Sequence, residues 1–455
     1  MMSSLSEILA CPRCDAKPLI SAVNGYTCKS CKTEFPLLDG IPFLFPEPGF
    51  SLAEWRERLN RLIVQFDYEA TQLDQELAQP KLFKPTQQRL RHLADSYRDH
   101  VLRLKKILQP LDISSLQASF DTYLALRTHL PQRQGLTTYY ANLHRDWCWG
   151  DDENSLSAKE VISSIQDGQH KRILVLGAGG GRLAYDIHQA LKPELTVALD
   201  INPLLLFVAN RITQGETVEL YEFPIAPRAI EDHAILRTLG VGEPVAKGFH
   251  YILADALHAP FAPAGFDLVV TPWLLDIIPE DLRSFAPRVN RLLSVNGKWI
   301  NFGSLAFSHE KLASCYSLEE VRLIFEESGF AEFQAKETAL PYMQSPASRH
   351  ARIEHVLTIN ATKMRKAKKP TRYRALPDWI VKGEDPVPLL QSFQTQAIAT
   401  RIHAFIMAMI DGKRSIRDMA LMLEQQKLMP FHEAEPAVRS FLTKMYEEKL
   451  RMPNF

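Results

Sequence analysis

The feature of the sequence that most constrains its fold is an alternation of short apolar runs with helical patterns, from Lys171 to about Thr362. The apolar runs are RILVLG, LTVALD, YILADA, FDLVVT and GKWINFG, and each has the length and the β-rich composition of a buried strand. Strands that alternate with helices form parallel sheets, because each connection must cross the sheet and usually does so as a helix. The pattern therefore predicts an α/β fold with a mostly parallel sheet.

The first of these strands leads into a glycine-rich turn and then a helix, in the stretch ILVLGAGGGRLAYDIHQ. Gly177, Gly179 and Gly181 let the backbone approach a ligand closely, and the first N–H groups of the helix favour a carboxylate or a phosphate. The arrangement is typical of Rossmann-like sheets that bind NAD, FAD or S-adenosyl-L-methionine. A tight turn without any ligand is the alternative.

Two acidic residues at strand ends narrow the choice of cofactor. Asp200 ends the second strand about twenty residues after the glycines, where a carboxylate can bind both hydroxyl groups of a ribose. Asp255 ends the third strand, where methyltransferases use an acid to reach the adenine amino group. S-adenosyl-L-methionine therefore explains both acids, whereas NAD explains only the first.

Four cysteines near the N-terminus form two C-x2-C pairs, Cys11 with Cys14 and Cys28 with Cys31. Each pair can present two thiolates from one tight turn, and two pairs complete the tetrahedral shell of a zinc ion. A shell of four thiolates leaves no position for water or substrate, so we predict a structural zinc ion. The alternative is four unrelated buried cysteines.

The words around the cysteines, EILACPRC and FPLLDGIPFLFP, extend the pattern. The stretch from Leu5 to Pro46 resembles the small zinc-ribbon proteins that partner and activate methyltransferases acting on tRNA and translation factors. We assign residues 1–50 to a zinc-ribbon domain, and the resemblance implies a methyltransferase elsewhere in the chain. Residues 51–138 carry apolar side chains at three- and four-residue steps, which predicts helices that cap the next domain.

The stretch from about Tyr139 to Thr362 resembles carnosine N-methyltransferase and its relatives. It contains HRDW, VLGAGGGRLAY, FDLVVTPWLLDI, GKWINFGSL, YSLEEVRLIFEESGF and PYMQSPAS, in the order of that family. The resemblance implies a class I methyltransferase domain over residues 139–362 that binds S-adenosyl-L-methionine. The implied cofactor-binding residues are Asn142 (a Gln in the family), Arg145, Gly177, Gly179, Gly181, Asp200 (a Glu in the family), Asp255, Ala256 and Pro272. Among them, Arg145 would reach the cofactor carboxylate.

The same resemblance suggests three residues for the methyl acceptor. Asp276 matches an acid that holds the substrate imidazole, and Tyr342 matches a tyrosine near the substrate. The sequence departs from the family in this half, because LAFSH places His309 one position late and Ser308 at the aligned place. A second tyrosine expected just before EHVL is absent, and the residues at positions 351–353 are Ala, Arg and Ile. A purely structural role is the alternative for all three residues.

An imidazole acceptor suits an acid such as Asp276, since the ring has two distinct nitrogens. If the carboxylate accepts the N–H of one nitrogen, the other nitrogen carries its lone pair towards the methyl group. The carboxylate also stabilises the imidazolium product, and no catalytic metal is required. We predict N-methylation of an imidazole-bearing small molecule or peptide. The alternatives are a protein, ribosomal peptide or tRNA acceptor, and a non-catalytic protein that senses S-adenosyl-L-methionine.

The C-terminal part of the sequence predicts a separate module. Residues 363–388 are basic and contain prolines, which indicates an exposed linker. Residues 389–455 read as helices, and the stretch from Ile402 to Arg451 resembles the small winged-helix modules that hold leader peptides for peptide-modifying enzymes. The resemblance, carried by IDGKRSIRDMALML and VRSFLTKMYEEKL, implies a peptide or protein partner. A domain that only packs or dimerises is the alternative.

The overall charge and hydropathy pattern argue against two classes of partner. Lys and Arg number 53 and Asp and Glu number 53, so no global field attracts nucleic acid or an anionic membrane. No apolar run has the length of a membrane span and no leader precedes the first domain. We therefore expect a cytoplasmic protein without membrane association, in a compartment that keeps thiols reduced.

Overall fold

The computed structural model describes residues 5–113, 136–165, 170–309, 311–368, 377, 379–380 and 384–451. The chain divides into two compact units, Met1–Ala375 and Leu376–Phe455. In the described ranges, no helix is both long enough and apolar enough to span a bilayer. Residues 114–135 of the predicted helical segment and much of the predicted linker lie outside the described residues.

The strands of the first unit form a ribbon, a large sheet and a hairpin. Their bounds are β1 Leu19–Ala22, β2 Gly25–Cys28, β3 Glu34–Leu38, β4 Ile41–Pro42, β5 Arg172–Leu176, β6 Leu195–Asp200, β7 Val218–Glu222, β8 Ile235–Leu239, β9 Phe249–Leu253, β10 Phe266–Pro272, β11 Leu293–Gly303, β12 Phe330–Tyr342 and β13 Arg352–Lys363. The ribbon has the order β1-β2-β3-β4, and β7 pairs only with β8 among the described residues.

The helices occupy both units. Their bounds are α1 Leu5–Ile8, α2 Pro48–Leu77, α3 Lys84–Ile107, α4 Leu136–His144, α5 Asp151–Ser163, α6 Arg182–Leu191, α7 Pro203–Thr213, α8 Leu282–Leu292, α9 Leu318–Glu327, α10 Gln391–Ala408, α11 Ile416–Gln425 and α12 Phe431–Arg451. A π-helical turn, Arg145–Trp149, continues α4.

The large sheet has the order β12-β13-β11-β10-β5-β6-β9. Its neighbours are parallel from β11 to β9, and β13 runs antiparallel to both β11 and β12. The residues of the central strand β5 from Ile173 to Leu176 are fully buried, as expected for a strand covered by helices on both faces. The predicted α/β fold with a mostly parallel, Rossmann-like sheet is thus confirmed.

The ribbon lies against the β9 edge of the large sheet. Phe43, just after β4, forms a parallel bridge with Leu253 at the end of β9. The amide of Leu44 donates to the carbonyl oxygen of Leu253 at 2.7 Å. An edge strand leaves unpaired N–H and C=O groups, and the ribbon satisfies part of this edge. The ribbon therefore contacts the sheet of its own chain.

Helices α2 and α3 pack against each other and join the core of the first unit. Trp55 and Leu59 of α2 and Leu104 of α3 are buried in one apolar cluster with Phe207 of α7. Hairpin β7–β8, between α7 and β9, lies beside α3, where His92 contacts the carbonyl oxygen of Ala234 at 2.8 Å. The sequence pattern did not predict this hairpin.

The second unit contains α10, α11 and α12 and no strand among its described residues. Met409, Met419 and Val438 are buried in its own apolar core. The turn between α10 and α11 contains Gly412, with φ of 73°, and Asp411, whose carboxylate accepts two backbone N–H groups. The winged-helix assignment and its peptide partner stay predictions.

Candidate active site

The glycine-rich turn follows β5 and begins α6. The φ values of Gly177, Gly179 and Gly181 are 74°, 57° and 84°. A residue with a Cβ adopts such a backbone conformation only at a cost in free energy. The amide of Gly177 donates to the carbonyl oxygen of Leu199 on the neighbouring strand. A Cβ on Gly179 would meet no atom within 4 Å, so this part of the turn borders open space where a ligand fits.

Asp200 joins the end of β6 to this turn. One carboxylate oxygen accepts the amide N–H of Gly179 at 2.8 Å, and the other accepts that of Asn202 at 2.9 Å. Burial raises the pKa of Asp200 to about 6, although both hydrogen bonds favour the charged form. A carboxylate has about four acceptor positions, so Asp200 can also accept the two hydroxyl groups of a ribose.

Asp255 begins the loop that follows β9. Its carboxylate accepts the amide N–H of Leu257 at 2.9 Å and lies 3.0 Å from Nδ1 of His258. The backbone amide of Ala254, just before Asp255, donates to the backbone carbonyl oxygen of Asp200 on the adjacent strand at 3.0 Å. Asp200 and Asp255 therefore lie on adjacent strand ends, as the cofactor prediction requires.

The segment that precedes β1 of the ribbon is hydrogen-bonded to this loop. The amide of Ala10 donates to the carbonyl oxygen of Pro260, and the amide of Ala262 donates to that of Ile8, both at 2.8 Å. Together with the bonds to Leu253, these contacts bracket the segment that contains Asp255. The ligand-bearing knuckle begins at the next residue after Ala10.

The four cysteines of the ribbon have the geometry of a zinc shell. Their Sγ atoms all lie within 4.8 Å of one another. The Sγ atoms of Cys11 and Cys31 are 3.6 Å apart, and those of Cys14 and Cys28 are 3.5 Å apart. A tetrahedron with Zn–S bonds of about 2.3 Å has edges of about 3.8 Å, so the donor set fits a structural zinc ion.

Arg145 lies in the π-helical turn, in a network of buried acids. Its guanidinium bonds Asp146 at 2.7–2.8 Å and Glu153 at 3.1 Å. These two carboxylates keep the pKa of Arg145 above its usual range despite burial. Glu153 also accepts the amide N–H of Met343 at 2.8 Å, and burial raises its pKa. The network links the cofactor side of the sheet to the turn after β12.

The turn that contains Arg145 also packs on the glycine turn. The indole N–H of Trp147 donates to the carbonyl oxygen of Gly180 at 2.8 Å. A Cβ on Gly180 would lie 2.3 Å from a carboxylate oxygen of Asp146, so only glycine fits there. Asn142 lies on the last turn of α4 and is half-buried. The HRDW word thus helps to shape the predicted cofactor pocket.

Asp276 lies beyond the end of β10, four residues after Pro272. It is 8% exposed. One carboxylate oxygen accepts the hydroxyl of Ser304 and the amide N–H of Ala306. The other oxygen, Oδ1, is buried and has no hydrogen-bond partner among the described residues. An unpaired buried acceptor is costly, so this atom indicates a missing polar partner.

His309 lies on the loop that Asp276 fixes. Its ring stacks on Phe307 at 6.1 Å, and its Nε2 atom is buried without a hydrogen-bond partner among the described residues. The far end of the loop is held by Asp281, which accepts the hydroxyls of Ser314 and Tyr316. Among the described residues, the structure shows no contact between the side chains of Asp276 and His309.

Tyr342, at the end of β12, lies among two arginines and a tryptophan. Its ring centroid is 5.0 Å from that of Trp273, 5.9 Å from the guanidinium of Arg145 and 4.5 Å from that of Arg352. Burial raises the pKa of Tyr342. Trp273 follows Pro272 directly, so this ring connects the strand end of the cofactor site to the acceptor residues.

Tyr139 on α4 was missed in the sequence. Burial raises its pKa, and the charges of Asp200, Tyr342 and Asp276 raise it further. Glu153 was also missed, and neither residue carries a local sequence signal. Trp273 belongs to the quoted word FDLVVTPWLLDI, but we had given it no role.

The described geometry combines a parallel sheet, an open glycine turn, two acids at adjacent strand ends, and an acid after β10 with one oxygen that lacks a partner among the described residues. Ala256 is buried next to Asp255, and Pro272 ends β10 beside the central strand β5. These features define an S-adenosyl-L-methionine-dependent methyltransferase with a Rossmann-like fold. The roles of the individual residues stay predictions.

Comparison with known proteins agrees with this class. Residues 133–355 match the family model described as carnosine N-methyltransferase. A stretch of 55 residues, 12% of the chain, is 42% identical to the UPF0434 protein MS0934 of Mannheimia succiniciproducens and covers 90% of that protein. The chain therefore belongs to the family of the UPF0434 protein over the shorter stretch. Residues 133–355 are similar to the carnosine N-methyltransferase family.

Solved structures give more distant similarities. The YcgJ protein from Bacillus subtilis is 14% identical with a TM-score of 0.32, and the match covers 46% of this chain and 99% of that one. The N-methyltransferase NodS from Bradyrhizobium japonicum is 14% identical with a TM-score of 0.30, and the match covers 48% and 97%. The fold assignment rests on the strand order given above.

Proposed function

We propose that the protein transfers a methyl group from S-adenosyl-L-methionine to an imidazole nitrogen of a histidine-containing small molecule or peptide. The observation that carries this proposal is the buried Oδ1 atom of Asp276, which has no partner among the described residues. A hydrogen-bond donor of the acceptor would satisfy this atom. The imidazole N–H is such a donor, and its ring leaves a second nitrogen free to react.

The cofactor half of the site holds the methyl donor. Gly177 and Gly179 would provide the backbone cradle, Asp200 the ribose contacts, Asp255 the adenine contact, and Arg145 a charge for the amino-acid end. Bound S-adenosyl-L-methionine supplies a methyl group that its sulfonium already activates. The protein mainly has to orient the acceptor, and such orientation can lower a barrier by about 7–11 kcal/mol.

Asp276 performs this orientation. Its carboxylate is fixed by the hydroxyl of Ser304 and the amide of Ala306, so the free oxygen has a defined direction. Bonded to one ring N–H, it directs the lone pair of the other nitrogen away from itself. The ring gains a positive charge as it accepts the methyl group, and the adjacent carboxylate stabilises that charge until a proton leaves to water.

Tyr342 and His309 complete the acceptor half. Tyr342 and the neighbouring Trp273 provide aromatic faces for a flat ring. His309 offers its unpartnered Nε2 atom as a second polar contact for the acceptor. The four thiols of the ribbon suit a reducing compartment, so we place the enzyme in the cytoplasm.

The test is calorimetric titration of the purified protein with S-adenosyl-L-methionine, followed by carnosine, histidine and a histidine-containing peptide with mass spectrometry of the products. We expect cofactor binding and a product methylated on the imidazole ring. Cofactor binding without methylation of any of these acceptors would contradict the proposed acceptor and favour a macromolecule. Absence of cofactor binding would contradict the enzyme class itself.

A further inference from the structure

Arg352 is one of the three residues that stand where the resemblance led us to expect a second tyrosine, and it lies beside Tyr342 in the acceptor half of the site. Arg352 begins β13 and is the direct register partner of Tyr342 at the end of β12. Its guanidinium lies 4.5 Å from the centre of the Tyr342 ring. Because that ring contacts Trp273, Arg352 is separated from the Asp276 turn by two aromatic side chains.

The two arginines that flank Tyr342, Arg145 and Arg352, differ in the partners of their guanidinium groups. The guanidinium of Arg145 is bonded to Asp146 and Glu153, and its side chain is 14% exposed. Arg352 is 55% exposed and uses only Nε, which lies 2.6 Å from Glu354. Its two terminal nitrogens have no described partner. These are the donors that bind a carboxylate in a two-pronged arrangement.

Glu354 and Tyr342 together hold the arginine in place. Glu354 fixes the Nε side of the guanidinium, and the Tyr342 ring supports its face. A guanidinium fixed in this way loses little conformational freedom when it binds an anion. Exposed Arg349, in the same turn, is directed elsewhere: its guanidinium donates to the backbone carbonyl oxygens of Pro227 and Arg228.

Two aromatic side chains connect Arg352 to the end of β10. The guanidinium lies 4.5 Å from the centre of the Tyr342 ring, which lies 5.0 Å from the centre of the Trp273 ring. An acceptor bound along these two rings would present its carboxylate to Arg352.

We propose that Arg352, supported by Tyr342 and Glu354, binds the terminal carboxylate of the methyl acceptor and so selects for acceptors with a free C-terminus. The inference rests on the proposed function, because it assumes that the imidazole binds at Asp276. It adds a specificity-determining residue at a position where the sequence departs from the family that it resembles. An acceptor histidine inside a long protein chain would not present this carboxylate.

The experiment compares β-alanyl-histidine with its C-terminal carboxamide, using wild-type protein and Arg352→Gln. Binding is measured by calorimetry in the presence of S-adenosylhomocysteine, and turnover is measured separately by mass spectrometry. We expect the wild type to bind the acid about 10- to 100-fold more tightly than the amide. Arg352→Gln should weaken binding of the acid by that factor and leave binding of the amide within about twofold.

Arg322→Gln is the matched control, since Arg322 also lies over an aromatic ring, 5.1 Å from Phe333, but on α9. It should change neither ratio. Equal binding of acid and amide by the wild type, or an equal loss of both in Arg352→Gln, would overturn the role of Arg352. Failure of the wild type to bind either acceptor would overturn both proposals. Acid-selective binding that depends on Arg352 but yields no methylated product would support Arg352 and contradict the proposed function.

Discussion

Asp200 in the cofactor half and Asp276 in the acceptor half are both acids at the carboxyl edge of the sheet, but they are satisfied differently. Both oxygens of Asp200 accept backbone N–H groups, from Gly179 and Asn202. Asp276 has one oxygen fixed by its neighbours and one without a partner among the described residues. The cofactor half is thus complete within the fold, whereas the acceptor half needs a ligand donor to complete it.

The two halves therefore differ in how easily their ligand specificity can change. A site whose acids are held by main-chain groups depends on backbone geometry, which the glycine turn and strand ends specify. A site that depends on side chains of separate elements, such as His309 on a loop and Arg352 on β13, can change its ligand by changing a few residues. The comparison can be tested from each side.

The largest effect is expected for Asp276→Asn. The amide keeps the bulk but loses the charge that holds the imidazole and stabilises the imidazolium product. Removal of one such preorganised contact typically costs about 10²- to 10³-fold in kcat. We expect a loss of this size, measured as product formation by mass spectrometry, with S-adenosyl-L-methionine affinity within about twofold of wild type.

Asp281→Asn is the control, because Asp281 anchors the far end of the same loop through Ser314 and Tyr316. It should lower kcat far less than Asp276→Asn. If the two variants lost the same activity, Asp276 would act only by holding the loop. An unchanged kcat in Asp276→Asn would remove the acceptor half from the mechanism.

Zinc removal should act on the cofactor half, since the ribbon brackets the loop that contains Asp255. With the metal chelated, the cysteine knuckle that follows Ala10 loses its shape, and the bond from Ala10 to Pro260 loosens. We expect a lower melting temperature and an S-adenosyl-L-methionine affinity about tenfold weaker, which corresponds to about 1.4 kcal/mol. Calorimetry measures the melting temperature and the cofactor affinity. Hydrogen exchange over residues 253–262 measures the loosening of the loop.

Cys28→Ser should reproduce this loss, whereas Cys315→Ser, outside the cluster, should not. Adding zinc back should restore the affinity of the wild type but not that of Cys28→Ser. Full cofactor affinity in metal-free protein that remains folded would show that the ribbon and the cofactor loop are independent.

The smallest effect is expected from the pH dependence of cofactor binding. Burial raises the pKa of Asp200 to about 6, and the ribose hydroxyls need its charged form as an acceptor. The affinity should therefore be constant above pH 6 and fall by up to about tenfold for each unit below it. Calorimetric titrations with S-adenosyl-L-methionine at several values between about pH 5 and 7.5 measure this affinity while the protein stays folded.

Asp200→Asn imitates the protonated acid and should bind weakly with a flatter pH profile over the same range. A wild-type affinity that stays constant to pH 5 would show that Asp200 is not titrating in the free protein, or does not contact the cofactor.

The class of fold was predictable because it depends on local patterns. The run Ile173–Leu176 is apolar throughout, and the structure buries it on both faces as the central strand. Hairpin β7–β8 was not predicted, because it pairs only with itself and its strands lack a buried run. Lys363, placed in the predicted linker, belongs to β13, where its ammonium donates to two backbone carbonyls.

The sequence by itself determined the glycine turn, the acids at the strand ends, the cysteine pairs and the methyltransferase class, since each follows from residues close together in the chain. Only the tertiary structure decided which distant residues they contact. The contacts of Glu153 with the Met343 turn and of the ribbon with β9 join residues far apart in sequence. Local patterns cannot specify such pairings, because they depend on how the whole sheet is assembled.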